Sequence, residues 1–133
     1  MAANTSPVFP LTPIVGIGSL QSATAITART PITGTTGLVQ LTATSTNGTR
    51  IDQITVKASA TSVANNVFIW VYNGTTSYLF DEFDITAITA ANTTDSAVLT
   101  KTYTFLTLPP TYQLYISQTV QSNLVVFAFG GQY

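Results

Sequence analysis

The side chains that most often perform catalysis in proteins are almost missing from this chain of 133 residues. It contains no histidine and no cysteine, so it lacks the commonest general base, the commonest transition-metal ligand and the thiol nucleophile. Its many serines have no histidine to activate them as in a Ser-His-Asp triad. We therefore expect a protein that is not an enzyme and that requires neither a metal nor a cofactor.

Carboxylates are the remaining reactive groups, and there are only five: Asp52, Asp81, Glu82, Asp84 and Asp95. Glycoside hydrolysis needs two acids that face each other across a cleft. Asp81 and Glu82 are adjacent on a predicted strand, so they point to opposite faces. Calcium is an alternative at Asp81, Glu82 and Asp84, because it takes carboxylate oxygens. Their spacing differs from an EF-hand, and we favour solvated charges that discourage edge pairing.

Charge is scarce throughout the sequence. Charged residues make up 7% of the chain, and the net charge is -1, against a typical charged fraction of about a quarter. The four cations, Arg29, Arg50, Lys57 and Lys101, form no basic patch, which excludes nucleic acid as a partner. No run of about eighteen apolar residues predicts a membrane span, and the first residues lack the features of a signal peptide. A surface with so little charge promotes association. We therefore expect a subunit that is buried in an assembly.

Short segments rich in β-branched and aromatic residues recur along the chain, separated by Gly, Asn and Pro. The predicted strands are 22–30, 37–46, 54–59, 67–72, 78–85, 96–106, 112–120 and 124–129, with a loop at 86–95. Alternation along 54–59 places Ile54, Val56 and Ala58 inward, and we expect the last two strands to pair and Gly130-Gly131 to end the last one. Asn47-Gly48 and Asn73-Gly74 predict hairpin turns, since both allow positive φ. This pattern predicts an all-β, antiparallel β-sandwich of about eight strands. We favour a jelly roll, because the cysteine pair of immunoglobulin domains is missing.

Residues 1–13 differ from the rest, with three prolines in their last seven positions. Proline removes a ladder donor and holds the preceding residue extended. We predict an extended arm at 1–13 and a sandwich domain at 14–133, with the arm docked on its own domain or on a neighbour. The candidate interface residues of the arm are Pro7, Val8, Phe9, Pro10, Leu11 and Pro13.

The strand at 67–72 is apolar on both faces. Phe68, Trp70 and Tyr72 share one face, and the residues between them are apolar as well. A strand in a two-sheet sandwich needs only one apolar face, so the second must meet the arm, another subunit or a ligand. Because exposed apolar patches usually mark protein interfaces, we expect Phe68, Trp70 and Tyr72 to be interface residues covered by a neighbouring chain or by the arm.

Four segments of the chain resemble small structural proteins of tailed phages and prophages. They are NTSPVFPLTP (4–13), NGTRIDQI (47–54), FIWVY (68–72) and AFGGQY (128–133). Within that group the chain looks like a head decoration, or cement, protein. The resemblance implies a virion component on the capsid surface, synthesised in the host cytoplasm, whose partner is the major capsid protein.

The sequence thus leads to one main hypothesis and one alternative. The main hypothesis is a decoration protein that binds and stabilises the assembled shell as a homo-oligomer, with a trimer preferred. The alternative is a carbohydrate-binding sandwich in a tail fibre or baseplate, in which Trp70 and Tyr72 would stack on sugar rings in an open groove.

Overall fold

The computed structural model describes residues 12–93, 96 and 98–133, and within these ranges the chain contains strands and loops but no helix. The strands are β1 (Thr12–Ser19), β2 (Ile32–Thr33), β3 (Val39–Gln40), β4 (Thr49–Ala58), β5 (Asn65–Tyr72), β6 (Thr76–Ile85), β7 (Val98–Leu108), β8 (Gln113–Gln118) and β9 (Leu124–Gln132). No helix able to cross a membrane is found in the part of the chain that the structure describes.

The strands form two sheets that pack face to face. The first sheet has four strands in the order β1-β9-β4-β7, and the second has five in the order β2-β6-β5-β8-β3. Every neighbouring pair is antiparallel. The predicted all-β antiparallel sandwich is confirmed, with nine described strands where about eight were expected.

The core lies between the two sheets and follows the alternation expected of half-buried strands. On β4, Ile54, Val56 and Ala58 all point inward and are buried, as the sequence predicts. Opposite them, Val67, Ile69, Phe83, Leu114 and Ile116 fill the inner face of the second sheet. Neither sheet could keep its inner apolar face in water, so burial of these side chains holds the sandwich together.

Two predicted strands and the predicted end of the arm are wrong. Residues 22–30 form no strand and make only an isolated bridge at Ala25, while most of 37–46 is irregular apart from β3. The arm was predicted to end at Pro13, but Thr12 and Pro13 belong to β1, where they pair with Gln132 and Gly131. Proline is tolerated there because β1 is an edge strand, so a missing N–H need not break a ladder.

The two Asn-Gly pairs have different structures. Asn73-Gly74 connects β5 to β6 as predicted, with Gly74 at φ 94° and the Asn73 side-chain oxygen accepting from the N–H of Thr75 and Thr76. Asn47-Gly48 joins no two paired strands. Gly48 does adopt positive φ, but it precedes β4, and its carbonyl accepts from the N–H of Tyr133.

The end of the chain also departs from expectation. The last two strands were predicted as a pair, yet β8 and β9 lie in different sheets. Gly130-Gly131 was predicted to end the last strand, but β9 continues through both glycines. A Cβ on Gly130 would collide with the carbonyl oxygen of Arg50, so glycine is used here for close approach of β9 to β4 rather than as a strand end.

Candidate interaction surfaces

Phe68 and Trp70, two of the predicted interface residues, are buried inside the domain. Both point to the outward face of β5, yet both have no exposed surface. Their rings meet edge to face with centroids 6.1 Å apart, and the indole N–H of Trp70 donates to Ser117 Oγ at 2.8 Å. These two side chains, which were expected to be covered by a neighbouring chain or by the arm, therefore have no surface left for a partner.

The cover over Phe68 and Trp70 is residues 20–38, which we call the covering segment. It pairs with β8 at Ala25, reaches β6 through β2, and returns to the β8 side at β3. It therefore crosses the outward face of the second sheet twice. In the first crossing, the Arg29 guanidinium lies over the Phe68 ring, 5.0 Å from its centroid. The second apolar face of β5 thus meets a segment of its own chain, an occupant that the sequence did not suggest.

A buried polar network anchors the covering segment. The Gln118 side-chain amide donates to the carbonyl oxygens of Leu20 and Ala23, and its oxygen accepts from Asn65 Nδ2 and from the Ser122 N–H. Gln118 has no exposed surface, so all four of its hydrogen bonds replace water that it has lost.

The remaining predicted interface residues have different positions. Tyr72 is half-buried, and its ring meets Tyr115 edge to face at 5.5 Å. Pro13 is exposed on β1. The other arm residues lie outside the described part of the chain, and they are Pro7, Val8, Phe9, Pro10 and Leu11.

The outward face of the first sheet carries an apolar surface on β1 and β9. Val15 and Ile17 on β1 pair with Phe129 and Phe127 on β9, so the four side chains share one face. Val15, Ile17 and Phe129 are exposed, and the rings of Phe127 and Phe129 stack with centroids 6.3 Å apart. We call these four residues the apolar face.

The neighbours of the apolar face are polar but mostly uncharged. The adjacent β4 positions are Gln53, opposite Phe129, and Thr55, opposite Phe127. Thr55 in turn shares a hydrogen bond of 3.0 Å with Thr100 on β7. Charge appears only beyond these positions, at Lys57 opposite Val125 on one side and at the Arg50–Asp52 ion pair on the other, where Arg50 lies opposite Gly131. An apolar area bounded in this way is typical of a protein interaction surface.

A second exposed surface lies where β7, an edge strand of the first sheet, meets β6, which pairs on its outer side only with the two residues of β2. Phe105 is 91% exposed, and Tyr78 and Phe80 are also exposed; the Phe80 ring lies 5.7 Å from that of Tyr103. We call these four residues the aromatic edge. Irregular register occurs on both strands here, opposite Ile69/Trp70 and Ile51/Gln53. Bulges of this kind often redirect side chains at functional positions.

Asp81 connects the two sheets at the aromatic edge. Its carboxylate accepts from Lys101 Nζ at 2.9 Å and from the Tyr103 hydroxyl at 2.8 Å. Burial alone would raise the pKa of Asp81, but these hydrogen bonds outweigh it and hold the pKa below its ordinary value. Burial of the phenol and its bond to Asp81 raise the pKa of Tyr103 well above its ordinary value.

The three clustered acids have different surroundings. Asp81 bonds across to β7, whereas Glu82 pairs with Arg29 on the outward side, and Asp84 is exposed. Among the residues described, no group of three His, Cys, Asp or Glu side chains could hold a metal ion. The opposite orientations predicted for Asp81 and Glu82 are confirmed.

A partly open cavity of about 290 Å³ lies between the sheets, near the same pair of edges. Its walls are mainly aliphatic, from Val56, Ala58, Ile85, Ile88, Leu99 and Leu124. The volume is close to the lower limit for ligand pockets, and most of the lining belongs to the core.

Comparison of the chain with protein-family models, curated proteins and solved structures finds no match to any of them.

Proposed function

We propose that this chain is a virion structural protein, a capsid decoration or cement protein that binds the shell of the major capsid protein. The observation that carries the proposal is a pair of separate exposed surfaces, the apolar face and the aromatic edge, on a domain with very little charge. A subunit of an assembly needs more than one contact surface, and a near-neutral surface favours association. The sequence resemblance to phage structural proteins supports the same role.

We further infer that the sandwich is of jelly-roll type. Four of its strand pairs are nested in sequence: β5 with β6, β4 with β7, β3 with β8, and β1 with β9. One long hairpin rolled into two sheets produces such nesting. Jelly rolls are common in viral capsid and lectin domains, which agrees with a virion role without specifying it.

The aromatic edge is the surface that we assign to the shell contact. Exposed aromatic rings supply large contact area at low entropic cost, and Phe105 is the most exposed of the large apolar side chains described. In this proposal the protein does no chemistry. It prefers the intact lattice to free capsid subunits, and binding therefore stabilises the shell by mass action.

The carbohydrate-binding alternative loses its main support. It required Trp70 and Tyr72 in an open groove, but Trp70 lies beneath the covering segment with no exposed surface. The half-buried Tyr72 alone provides no stacking row. We therefore carry only the decoration hypothesis forward.

Co-sedimentation with shells tests the proposal. The purified protein is mixed with empty shells of the major capsid protein of the same phage, and in parallel with dissociated capsid subunits. We expect it to pellet with shells, not to bind free subunits, and to raise the temperature at which the shells disassemble. Phe105→Asp should reduce binding at least tenfold.

The matched control is Val63→Asp, because Val63 is also an exposed apolar residue, at 53%, but lies in the loop before β5. It should bind shells normally. Equal binding by both variants would refute the assignment of the aromatic edge. Failure of the unmodified protein to bind shells, or specific binding to host cell-wall glycans instead, would refute the decoration role.

A further inference from the structure

The apolar face is the one outward sheet surface that no described segment of the chain covers. Val15, Ile17 and Phe129 remain exposed there, whereas the corresponding surface of the second sheet is hidden by the covering segment. The position of β1 at the edge of its sheet also leaves one side of that strand without a partner among the described strands. Any occupant of this surface must be apolar and need not carry charge.

The chain itself supplies a segment of that chemistry. Eleven residues precede β1, and they include Val8, Phe9 and Leu11 but no charged side chain. Fully extended, eleven residues reach about 36 Å, whereas the four strands of the first sheet span only about 15–20 Å. Residues 1–11 are therefore long enough to cross a sheet.

The direction of the chain favours a neighbouring copy over its own sheet. β1 begins at Thr12, opposite Gln132 near the end of β9, so the chain enters the first sheet at this end. For residues 1–11 to lie over the apolar face of the same sheet, the chain would have to reverse direction immediately before Thr12. Pro10 and Pro13 bias Phe9 and Thr12 toward extended geometry, and residues 6–13 contain no Gly, Asn or Asp, the residues that most readily adopt the positive φ of type II and hairpin turns.

Direct contact between two apolar faces would be too small for a stable dimer. The apolar face covers two strands about 4.8 Å apart and about five residues of about 3.4 Å each, which gives an area on the order of 160 Å². A stable interface usually buries about 800 Å² on each partner. Exchange of two apolar segments would add the missing area.

We propose that residues 1–11 of one copy lie on the apolar face of a second copy, so that the copies associate by exchanging these segments. This inference concerns self-association and is tested without any shell. Its failure is therefore distinguishable from failure of the decoration role.

Engineered cysteines give the most direct test, because the natural chain has none. Phe9→Cys and Phe129→Cys are placed in separate full-length chains, which are mixed and oxidised. We expect a mixed disulfide dimer at least ten times more abundant than the one formed by Phe9→Cys with Val63→Cys, although Val63 is the more exposed of the two second positions. Equal yields would overturn the proposal.

A chain carrying both Phe9→Cys and Phe129→Cys tests the competing arrangement. If residues 1–11 cover their own sheet, dilution to nanomolar concentration should leave an internal disulfide in a monomer, and the proposal fails. If the exchange is correct, the disulfide should form between chains, and its yield should fall with dilution.

Complementation provides a second, reversible test. Phe9→Asp removes the apolar segment, and Phe129→Asp, with Ile17→Asp as a replacement if it misfolds by circular dichroism, removes the surface that receives it. Each variant alone should be monomeric by analytical ultracentrifugation, and their mixture should associate again through the one intact contact. A natural protein that stays monomeric, or variants that associate as well as it does, would contradict the exchange.

Discussion

The outward faces of β5 and β9 have similar sequences but differ in burial. Each strand has aromatic residues on its outward side, Phe68 and Trp70 on β5 and Phe127 and Phe129 on β9. On β5 the covering segment crosses the sheet twice and buries both rings. On β9 the stacked pair stays on the surface. An apolar second face on a strand therefore does not decide whether a segment of the same chain covers that face.

The largest difference between the two faces should be in stability. Trp70→Ala should lower the free energy of unfolding by about 3–5 kcal/mol, because it leaves a cavity in a packed region and removes the bond to Ser117. Phe129→Ala, the control on the uncovered face, should cost about 1 kcal/mol or less. Urea denaturation of both variants measures the contrast. Comparable losses would mean that the two faces are equally covered in solution.

Removal of Gln118, which anchors the covering segment, should give the next largest loss of stability. Gln118→Ala should cost about 1–3 kcal/mol, because buried partners lose their hydrogen bonds. Hydrogen exchange should then accelerate in residues 20–38 but not in β1 or β9. Gln113→Ala, a half-buried glutamine on the same strand, should leave exchange in 20–38 unchanged. If exchange rose equally everywhere, the covering segment would not be a separately anchored unit.

Acid should weaken the contact between β6 and β7. The folded pKa of Asp81 lies below its ordinary value of 3.8, so the unfolded chain takes up a proton at higher pH than the folded chain. The stability that this group contributes is therefore present above about pH 4 and is lost as pH falls through the folded pKa. For so exposed a cluster we expect about 1 kcal/mol or less.

Asp81→Asn is the matched variant for this titration, since it keeps the shape of the side chain and removes the charge. Thermal unfolding between pH 2 and pH 6 should show a shallower pH dependence for the variant than for the natural chain. Identical profiles would indicate that Asp81 contributes nothing to the acid side of the stability curve.

The smallest effect on stability is expected on the apolar face itself. Ile17 is 62% exposed, and Ile17→Thr keeps a β-branched side chain suited to a strand. The change in unfolding free energy should stay within about 0.5 kcal/mol, while self-association weakens. Denaturation of the dilute protein and sedimentation at high concentration separate the two. A large loss of stability in the monomer would mean that Ile17 is covered within its own chain.

The structure upheld the predictions that rest on local pattern. Alternation of apolar residues placed Ile54, Val56 and Ala58 in the core, because side chains on a strand alternate strictly between faces. The Asn73-Gly74 turn followed from its need for positive φ. Adjacent positions on β6 likewise sent Asp81 and Glu82 to opposite sides. Each of these depends on geometry within a few residues, which the amino-acid types alone decide.

What required the tertiary structure were the choices between distant partners. Residues 22–30 have the β-branched composition of a strand, yet their hydrogen bonds and side chains are used to cover a sheet rather than to extend one, and composition cannot distinguish the two. The Gly130-Gly131 pair is typical of a strand end. Because Gly130 has no side chain, however, the carbonyl oxygen of Arg50, about eighty positions earlier, can lie close to it. The burial of Trp70 also depends on a distant segment. The covering segment lies more than thirty residues earlier in the chain, and the residues around Trp70 do not indicate that contact.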